Sequence, residues 1–377
     1  MKRIDIITNM APHYRACLWK TILQSSQLCA HFVFSRVQSS SIRQVDFDTP
    51  GWEPFANRLH VVKNHYAGGV LIWQRGVIGH AIRSSASVFV MLDQMYTLSS
   101  WLTVIIARMR GRKIIFWGHG FYGNESGLKK WVRLFYLRRA DALLLYGPRA
   151  KELLAAKGFD TRRVRIFYNS LDYDRQRDLR ASSVDSNFYR EKEFFSDPEL
   201  PVIIYVGRLT EQKRLEKAIQ AIEKLNGTHN KVNLILVGDG PMRQELERLA
   251  SGLKERIHFY GSCYDESVLG KLISNADLCL SPGEVGLTAI HSLSFGTPVC
   301  THDDYAHQMP EVEALQPGQT GIFFDRTRMN ITDAVTNWLQ SNPDRQVVRL
   351  RCYQMIDDHY NPHQQLKTLT DLVSELT

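Results

Sequence analysis

Short runs of β-branched and aromatic residues alternate with segments of helical periodicity along the whole chain of 377 residues. In the first half, the predicted strands are residues 4–8, 31–34, 88–92, 114–117, 143–146 and 165–167. In the second half, they are residues 202–206, 234–237, 257–260, 278–281, 298–300 and 322–324. This alternation favours parallel sheets wrapped by helices over an all-β or an all-α fold. We therefore predict an α/β chain with two such sheets.

The length also indicates two domains, because a single compact core rarely serves more than about 250–300 residues. Residues 171–200 are dense in Asp, Arg and Ser, show little periodicity and end in the turn-rich run SDPELP. We therefore predict Rossmann-like domains at residues 1–172 and 200–359, joined by a linker at residues 173–199.

The composition, with 44% hydrophobic and 23% charged residues, is typical of a globular enzyme rather than a disordered or fibrous chain. No apolar stretch approaches the ~20 residues of a membrane span, and the amino-terminal run MKRIDIITN contains an aspartate, so neither a transmembrane helix nor a signal peptide is expected. The six cysteines form no Cys-x-x-Cys pair, which favours free thiols in a reducing cytoplasm. They are Cys17, Cys29, Cys263, Cys279, Cys300 and Cys352.

A formal net charge of +8 permits nucleic acid, anionic lipid or phosphorylated ligands as partners. The basic residues are interspersed with acidic ones, and no nucleic-acid-reading module is recognisable, so no nucleic-acid partner is expected.

The run VGRLTEQK places two cations directly after a buried strand, where ligands bind in open α/β sheets. Gly207 lets a bulky group approach the backbone, Arg208 can fork onto phosphate oxygens, and Lys213 adds a point charge. The run therefore predicts a diphosphate site; the alternative is a solvated Arg and Lys beside a turn.

Two later runs repeat this strand, glycine turn and helix arrangement. VGDGPM brings Gly238 and Gly240 to the end of a strand, and LCLSPGEVGLTAIHSLSFGTPV has a glycine-containing loop before a helix that begins near Leu287. Backbone amides at such turns and helix starts can bind phosphate. On that helix His291 is a candidate hydroxyl-binding residue, with a packing role as the alternative.

Together, in this order and spacing, the three runs resemble the donor-binding domain of family 4 glycosyltransferases over about 120 residues, from 202 to roughly 321. The resemblance implies the GT-B fold, in which two Rossmann-like domains face each other across a cleft, and sugar transfer with retention of configuration. By it, Arg208 and Lys213 hold the diphosphate of a nucleotide-sugar donor. The implied donor-binding residues are Gly207, Gly238, Gly240, Gly261, Val285, Gly286, Leu287, Thr288 and His291.

The family usually has two glutamates separated by seven residues, one near the donor sugar and one on the ribose. Here Glu284 is the nearest match to the first, although its loop is one residue shorter, and His291 stands in place of the second. An imidazole can still hydrogen-bond a ribose hydroxyl, without the negative charge.

In the amino-terminal half, IIFWGHGFYGNE places His119 where the family has an active-site histidine that contacts the donor sugar. The loop TNMAPHYRACLWK lacks the family's paired glycines, and its candidate acceptor-side residues, with a solvated loop as the alternative, are His13, Tyr14 and Arg15. The implied catalytic residues are His119, Arg208, Lys213 and Glu284. A final helix at residues 360–377 is expected to return to the first domain.

Two further segments allow two interpretations each. THDDYAHQ offers His302, Asp303, Asp304 and His307, which suit a metal, but the resemblance implies a loop near the donor sugar and no metal. The basic and aromatic run at residues 129–140, KKWVRLFYLRRA, is either a membrane-surface helix or an ordinary helix with a solvated basic face.

The resemblance implies a cytoplasmic retaining glycosyltransferase that uses a UDP- or GDP-linked sugar and no further cofactor. Its expected acceptor is a glycan or lipid-linked glycan in surface polysaccharide assembly. The basic run at residues 129–140 adds peripheral membrane contact of the first domain as an open expectation. Two alternatives are a non-catalytic nucleotide-sugar-binding scaffold and another GT-B enzyme, such as a nucleotide-sugar epimerase or a phosphorylase.

Overall fold

A computed structural model describes residues 1–36, 42–185 and 187–377. The chain forms two compact units, Met1–Asp172 together with Asn361–Thr377, and Tyr173–Tyr360. Each unit is built on one sheet, with helices in the connections between strands. The predicted α/β class with two Rossmann-like sheets is confirmed.

The first unit has an eight-stranded sheet in the order β4-β3-β2-β1-β5-β6-β7-β8. Its strands are β1 (Lys2–Ile7), β2 (Leu28–Ser35), β3 (Leu59–Ala67), β4 (Leu71–Arg75), β5 (Val88–Leu92), β6 (Lys113–Gly118), β7 (Ala142–Leu145) and β8 (Val164–Ile166). All pairings are parallel except the β3–β4 hairpin. The sequence analysis did not predict this hairpin, whose strands are half-exposed and rich in polar residues.

The helices of this unit are α1 (Ala16–Leu23), α2 (Val77–Arg83), α3 (Leu98–Met109), α4 (Gly127–Leu137) and α5 (Pro148–Ala155). Apolar side chains such as Ile4 and Ile115 form one core cluster of the unit, and Phe89 and Phe116 belong to another. The strand order reverses between β1 and β5, which is the topological switch point where α/β sheets bind ligands.

The second unit has a six-stranded, all-parallel sheet in the order β11-β10-β9-β12-β13-β14. The unit begins with helices α6 (Tyr173–Ser183) and α7 (Phe188–Glu191), followed by β9 (Val202–Val206), α8 (Leu215–Asn226), β10 (Asn233–Val237), α9 (Arg243–Leu249), β11 (Ile257–Gly261), α10 (Glu266–Ser274) and β12 (Leu278–Ser281). It continues with α11 (Leu287–Ser294), β13 (Val299–His302), β14 (Gly321–Phe324), α12 (Ile331–Gln340) and α13 (Arg345–Asp358). Its switch point lies between β9 and β12, so this sheet has the six-strand order of a dinucleotide-binding fold.

The segment predicted as a linker at residues 173–199 is instead largely helical and belongs to the second unit. Helix α6 buries polar side chains: Gln176 donates to Glu266, while Arg180 donates to the Ser294 carbonyl and forms an ion pair with Asp357. Because this helix faces the unit with polar rather than apolar residues, its sequence carries no hydrophobic periodicity.

The chain ends in helix α14 (Pro362–Leu376), which lies in the first unit and packs against α1. Its Glu375 forms an ion pair with Arg165, at 2.5 Å. None of the helices in the described parts of the chain is long and apolar enough to span a bilayer. All six cysteines lie in those parts, and all are free thiols.

Candidate functional site

In the second unit, the turns that follow β9, β10 and β11 contact one another through their backbones. The Gly207 amide donates to the Val237 carbonyl at 2.9 Å, and the Gly238 amide donates to the Gly261 carbonyl at 2.8 Å. A Cβ on Gly238 would lie 1.9 Å from the Gly207 oxygen, and one on Gly240 would lie 2.4 Å from the Leu209 oxygen. These predicted glycines therefore allow the turns to meet at the carboxyl edge of the sheet.

Lys213 ends a 3₁₀ turn (Glu211–Lys213) beside the loop that follows β12. Its Nζ donates to the Glu284 carbonyl at 2.8 Å and lies 4.0 Å from Glu284 Oε1. The backbones are equally close, since a Cβ on Gly283 would lie 2.0 Å from the Gln212 oxygen. The structure thus brings Lys213 and Glu284 together at the switch point.

Burial lowers the pKa of Lys213, against the opposing effects of Glu284 and Glu311, and the charge of Arg208 lowers it further. Arg208, which directly follows the strand residues Val202–Val206 and Gly207, is exposed at the same edge of the sheet. Two cations at the carboxyl edge of a parallel sheet are an arrangement that binds an anion such as a diphosphate.

The loop before α11 uses several of its polar groups internally. The Val285 amide donates to Gln308 Oε1 at 2.6 Å, and the Thr288 hydroxyl donates to the Val206 carbonyl at 2.9 Å. The Thr288 bond holds the start of α11 against β9, and the Val285 bond ties the loop to the segment after β13, so both residues shape the loop. Gly286 is the N-cap and Leu287 the first residue of α11, where helix amides point outward.

His291 lies on α11 and contacts a carboxylate that the sequence analysis missed. Its Nε2 lies 2.9 Å from Glu266 Oε2, and Gln176 donates to the other oxygen of Glu266 at 2.9 Å. Burial acts to raise the pKa of Glu266, but His291 and Gln176 bring it down to about 2. His291 is therefore paired with a glutamate from helix α10.

His302, Asp303, Asp304 and His307 form no metal-binding cluster. His307 and Arg326 both contact Asp304, at 2.7 and 2.9 Å. Throughout residues 1–36, 42–185 and 187–377, no group of three or more His, Cys, Asp or Glu side chains is arranged to hold a metal ion.

The first unit has its own cavity, of about 700 Å³, at the switch point between β1 and β5. Its lining includes His119, Tyr14 and Arg15, so the structure brings together three of the residues predicted in this half of the chain. His13, by contrast, is exposed and does not line the cavity.

His119 lies between two aromatic rings, stacked on Tyr122 and edge-on to Tyr146. Burial lowers its pKa to about 4, with smaller contributions from Arg133 and Arg15. Its buried Nδ1 has no hydrogen-bond partner in the described part of the chain. At neutral pH this residue is an uncharged imidazole on the cavity wall, and its Nδ1 is buried.

Arg15 and a buried Asp93–Arg133 pair complete the polar wall of the cavity. The Arg15 guanidinium donates to the Tyr146 hydroxyl and lies 4.4 Å from the centre of the Trp117 ring. Asp93 accepts from the Gly120 amide at 2.6 Å and from Arg133 at 3.3 Å. Burial raises the pKa of Asp93, with Arg133 acting in the opposite direction.

The sequence analysis missed Asp93, Glu125, Arg133 and Tyr146. A usable signal existed for Asp93, which directly follows the predicted strand β5 beside the switch point. Glu125 lies in the loop before α4, and Arg133 lies on α4 itself. Their side chains are 3.4 Å apart because this loop folds back onto the helix, which the sequence does not reveal.

The two-sheet architecture and the switch-point sites define the class of the protein: its fold is that of GT-B glycosyltransferases. Residues 187–354, which lie within the second unit, match the protein family described as Glycosyl transferases group 1. The fold and the matched domain are thus those of a glycosyltransferase.

Curated relatives match parts of the chain. One is alpha-D-kanosaminyltransferase of Streptomyces kanamyceticus, 27% identical over 220 residues, which covers 56% of this chain and 54% of that protein. Another is the GDP-mannose-dependent alpha-(1-6)-phosphatidylinositol dimannoside mannosyltransferase of Mycobacterium tuberculosis, 34% identical over 112 residues, or 29% of each chain. The chain therefore spans about half of the length of the first relative and less than a third of the second.

Among solved structures, the chain is similar in fold to Anabaena Alr3699/HepE in complex with UDP, with a TM-score of 0.69 and 15% identity over the full length of both chains. It is equally similar to the apo form of the lipopolysaccharide outer core galactosyltransferase WaaB, again with a TM-score of 0.69 and 15% identity over both full lengths.

Proposed function

We propose that this protein is a retaining glycosyltransferase that moves a sugar from a UDP- or GDP-linked donor to a glycan or lipid-linked glycan, in surface polysaccharide assembly in the cytoplasm. The observation that carries the proposal is the placement of Arg208 and Lys213 directly after β9, at the switch point of the matched domain. The similar proteins that bind UDP or depend on GDP-mannose support these two donor classes.

In this proposal, Arg208, Lys213 and the amides at Gly286 bind the donor diphosphate. As the bond to the sugar breaks, negative charge grows on the departing phosphate, and fixed positive groups stabilise that charge without needing to reorganise. The departing diphosphate accepts the acceptor proton, so no protein nucleophile is required. The two cations take the role that a metal ion has in other enzymes, and we propose no metal cofactor.

Glu284 and His291 complete the donor site. The contact between Lys213 and the Glu284 carbonyl orients this loop, and the Glu284 carboxylate, which is partly exposed, is assigned to the donor sugar. His291, paired with Glu266, is assigned to a ribose hydroxyl. In this proposal, Glu266 supplies a carboxylate beside His291, the residue aligned with the family's second glutamate.

The cavity of the first unit is assigned to a sugar-containing ligand. Sugars bind through hydroxyl groups and through the apolar faces of their rings, and the cavity offers His119, Asp93 and Arg15 together with Tyr14 and Trp117. His119, as a neutral imidazole in the wall of the cavity, suits a hydroxyl group as its hydrogen-bond partner.

The test is a transfer assay in which the purified full chain is incubated with UDP- and GDP-sugars and a panel of glycan and lipid-linked acceptors. A product with the donor's anomeric configuration, seen by NMR, supports the proposal, whereas an inverted product contradicts retention. Tight nucleotide binding without transfer to any acceptor favours a scaffold, and conversion of the donor without an acceptor favours an epimerase.

A further inference from the structure

Helix α3 exposes large apolar side chains on the face where a helix in contact with water normally carries polar ones. Its buried face includes Ser99, Ser100 and Thr103, while its outer face carries a row of large apolar side chains. That row, spaced by four, three and four residues, consists of Leu98, Leu102, Ile105 and Met109, with exposures of 42%, 43%, 53% and 82%. The apolar stripe of an amphipathic helix normally faces the core, so this one indicates an apolar partner.

Helix α4 continues the same face. Its exposed apolar residues are Leu128, Trp131 and Phe135, with exposures of 79%, 71% and 44%. The two helices are neighbours, because Trp101 stacks on Phe135 at 6.1 Å and Arg108 donates to the Arg139 carbonyl. We call the seven exposed apolar residues of α3 and α4 the apolar face.

Basic side chains surround the apolar face. Residues 94–140 contain nine lysines and arginines and one glutamate, so this segment accounts for the whole net charge of +8. The expectation that basic and acidic residues are interspersed throughout is therefore wrong for this segment. Its exposed cations are Arg108, Arg110, Lys129, Arg138 and Arg139, whereas its glutamate, Glu125, is buried.

The apolar face is continuous with the cavity of the first unit. Lys129, in the first turn of α4, lines that cavity, as do the partly exposed rings of Tyr96 and Tyr122. A partner seated on the apolar face would therefore reach the mouth of the cavity.

From this combination we propose that the apolar face docks onto an anionic membrane surface, with α3 and α4 lying in the plane of the lipid headgroups. Aliphatic and aromatic side chains enter the boundary between headgroups and acyl chains, and the surrounding cations bind anionic lipid phosphates. Protein partners also bury apolar patches, but the exposed charges that residues 94–140 contribute around this face are all positive, which is complementary to a uniformly negative surface. Where the proposed sugar transfer holds, docking brings the cavity to the lipid surface, as a lipid-linked acceptor requires.

Vesicle co-sedimentation of the full chain tests the proposal directly. We expect the protein to bind vesicles of mixed phosphatidylglycerol and phosphatidylcholine, to bind phosphatidylcholine vesicles at least about tenfold more weakly, and to lose affinity with added salt. The apolar variant I105S/W131S and the charge variant R110Q/R139Q should each lower the partition coefficient about tenfold.

Matched controls remove side chains of similar kind and exposure from the second unit, namely Y264S/L350S and K231Q/K254Q. Their partition coefficients should stay within about twofold of the wild type, and melting temperatures should show that every variant is folded. The proposal is overturned if the wild type does not bind anionic vesicles or if both face variants bind as well as their controls.

Light scattering tests the alternative that a second copy of this chain, rather than a membrane, covers the apolar face. A dimer that I105S/W131S converts to a monomer, without vesicle binding by the wild type, would identify a self-interface and reject the membrane. Nucleotide binding measured on the same variants is expected to be unchanged, so the docking proposal and the donor site can fail independently.

Discussion

At the scale of single residues, the proposed function depends on how burial changes the charge of a few side chains. Burial and the nearby Arg208 lower the pKa of Lys213, whereas Glu284 and Glu311 support its charged form. Burial makes His119 neutral and leaves its Nδ1 without a partner. The first residue is suited to an anion and the second to a hydroxyl group.

Alanine at Arg208 or at Lys213 should lower turnover about a hundredfold. Each substitution removes one preorganised positive group from the departing diphosphate, which typically costs roughly 3 kcal/mol of transition-state stabilisation. The measurement is kcat/KM of each variant in the transfer assay, with the exposed Lys224→Ala on α8 as a control that keeps normal turnover. Near-normal turnover in R208A and K213A would remove the diphosphate assignment.

His291→Ala should weaken nucleotide binding about tenfold and slow the chemical step much less. A ribose contact is present in both the ground state and the transition state, so its loss appears in affinity rather than in kcat. Calorimetry with UDP and GDP measures the affinity, and melting temperature reports the loss of the Glu266 contact separately. An unchanged dissociation constant would leave His291 as a packing residue.

The pH dependence of stability should carry the signature of buried His119. Its pKa of about 4 in the folded state lies below the ordinary value of 6.5, so the unfolded chain binds more protons between these values and stability falls as the pH falls through that window. At pH 5, His119→Gln should recover on the order of 1–2 kcal/mol of this loss relative to pH 7.5. Urea unfolding at the two pH values measures it, and equal losses in both proteins would show that His119 is not buried in its neutral form.

At the scale of elements, the sequence predicted the strands better than the helices that connect them. Buried strands such as β9 and β12 are continuous apolar runs, so their positions follow from composition alone. Helix α6 was not predicted because it buries Gln176 and Arg180. Their polar partners lie in α10 and α13, so the sequence of α6 shows no hydrophobic periodicity. The β3–β4 hairpin could have been predicted from the dipeptide Gly68-Gly69, which is typical of a hairpin turn. Both residues adopt positive φ there.

The residues of the two candidate sites also differ in how well the sequence predicts them. The glycines, Arg208 and Lys213 follow strands directly, and His119 follows β6, so strand positions predict where they lie. Glu266 and Arg133 reach their sites from helices that start after irregular loops, at distances set by tertiary packing. No local spacing in the sequence carries that information.

Gly238→Ala should destabilise the second unit by on the order of 3 kcal/mol. The φ of +143° is strained for an alanine, and the added Cβ would lie 1.9 Å from the Gly207 oxygen, so the turns after β9 and β10 must separate. Gly252→Ala is the matched control, because a Cβ there meets nothing within 4 Å and should change stability by less than about 0.5 kcal/mol. Chemical unfolding measures both, and equal stabilities would show that the turns are not in contact.

At the scale of the whole molecule, each unit presents a candidate site at the switch point of its own sheet. The second unit has two cations after β9 and glycine turns that contact one another, and the first has an aromatic cavity with a neutral histidine. Our proposal therefore assigns the diphosphate to the second unit and the sugar-containing ligand to the first. A diphosphate requires positive charge, whereas a sugar requires hydrogen-bond partners for its hydroxyl groups and aromatic side chains against its ring.

The central claim is that the second unit binds the diphosphate of a nucleotide sugar through Arg208 and Lys213, and thermal-shift screening of the full chain tests it most directly. With every nucleotide sugar at the same millimolar concentration, UDP- or GDP-linked sugars should raise the melting temperature by about 3–5 °C, the shift expected at ~100 times a dissociation constant, and ADP- or TDP-linked sugars should raise it by much less. The double variant R208A/K213A should melt as a folded protein and lose that shift. The account is contradicted if no nucleotide sugar shifts the wild type at millimolar concentration, or if the double variant shows the same shift as the wild type.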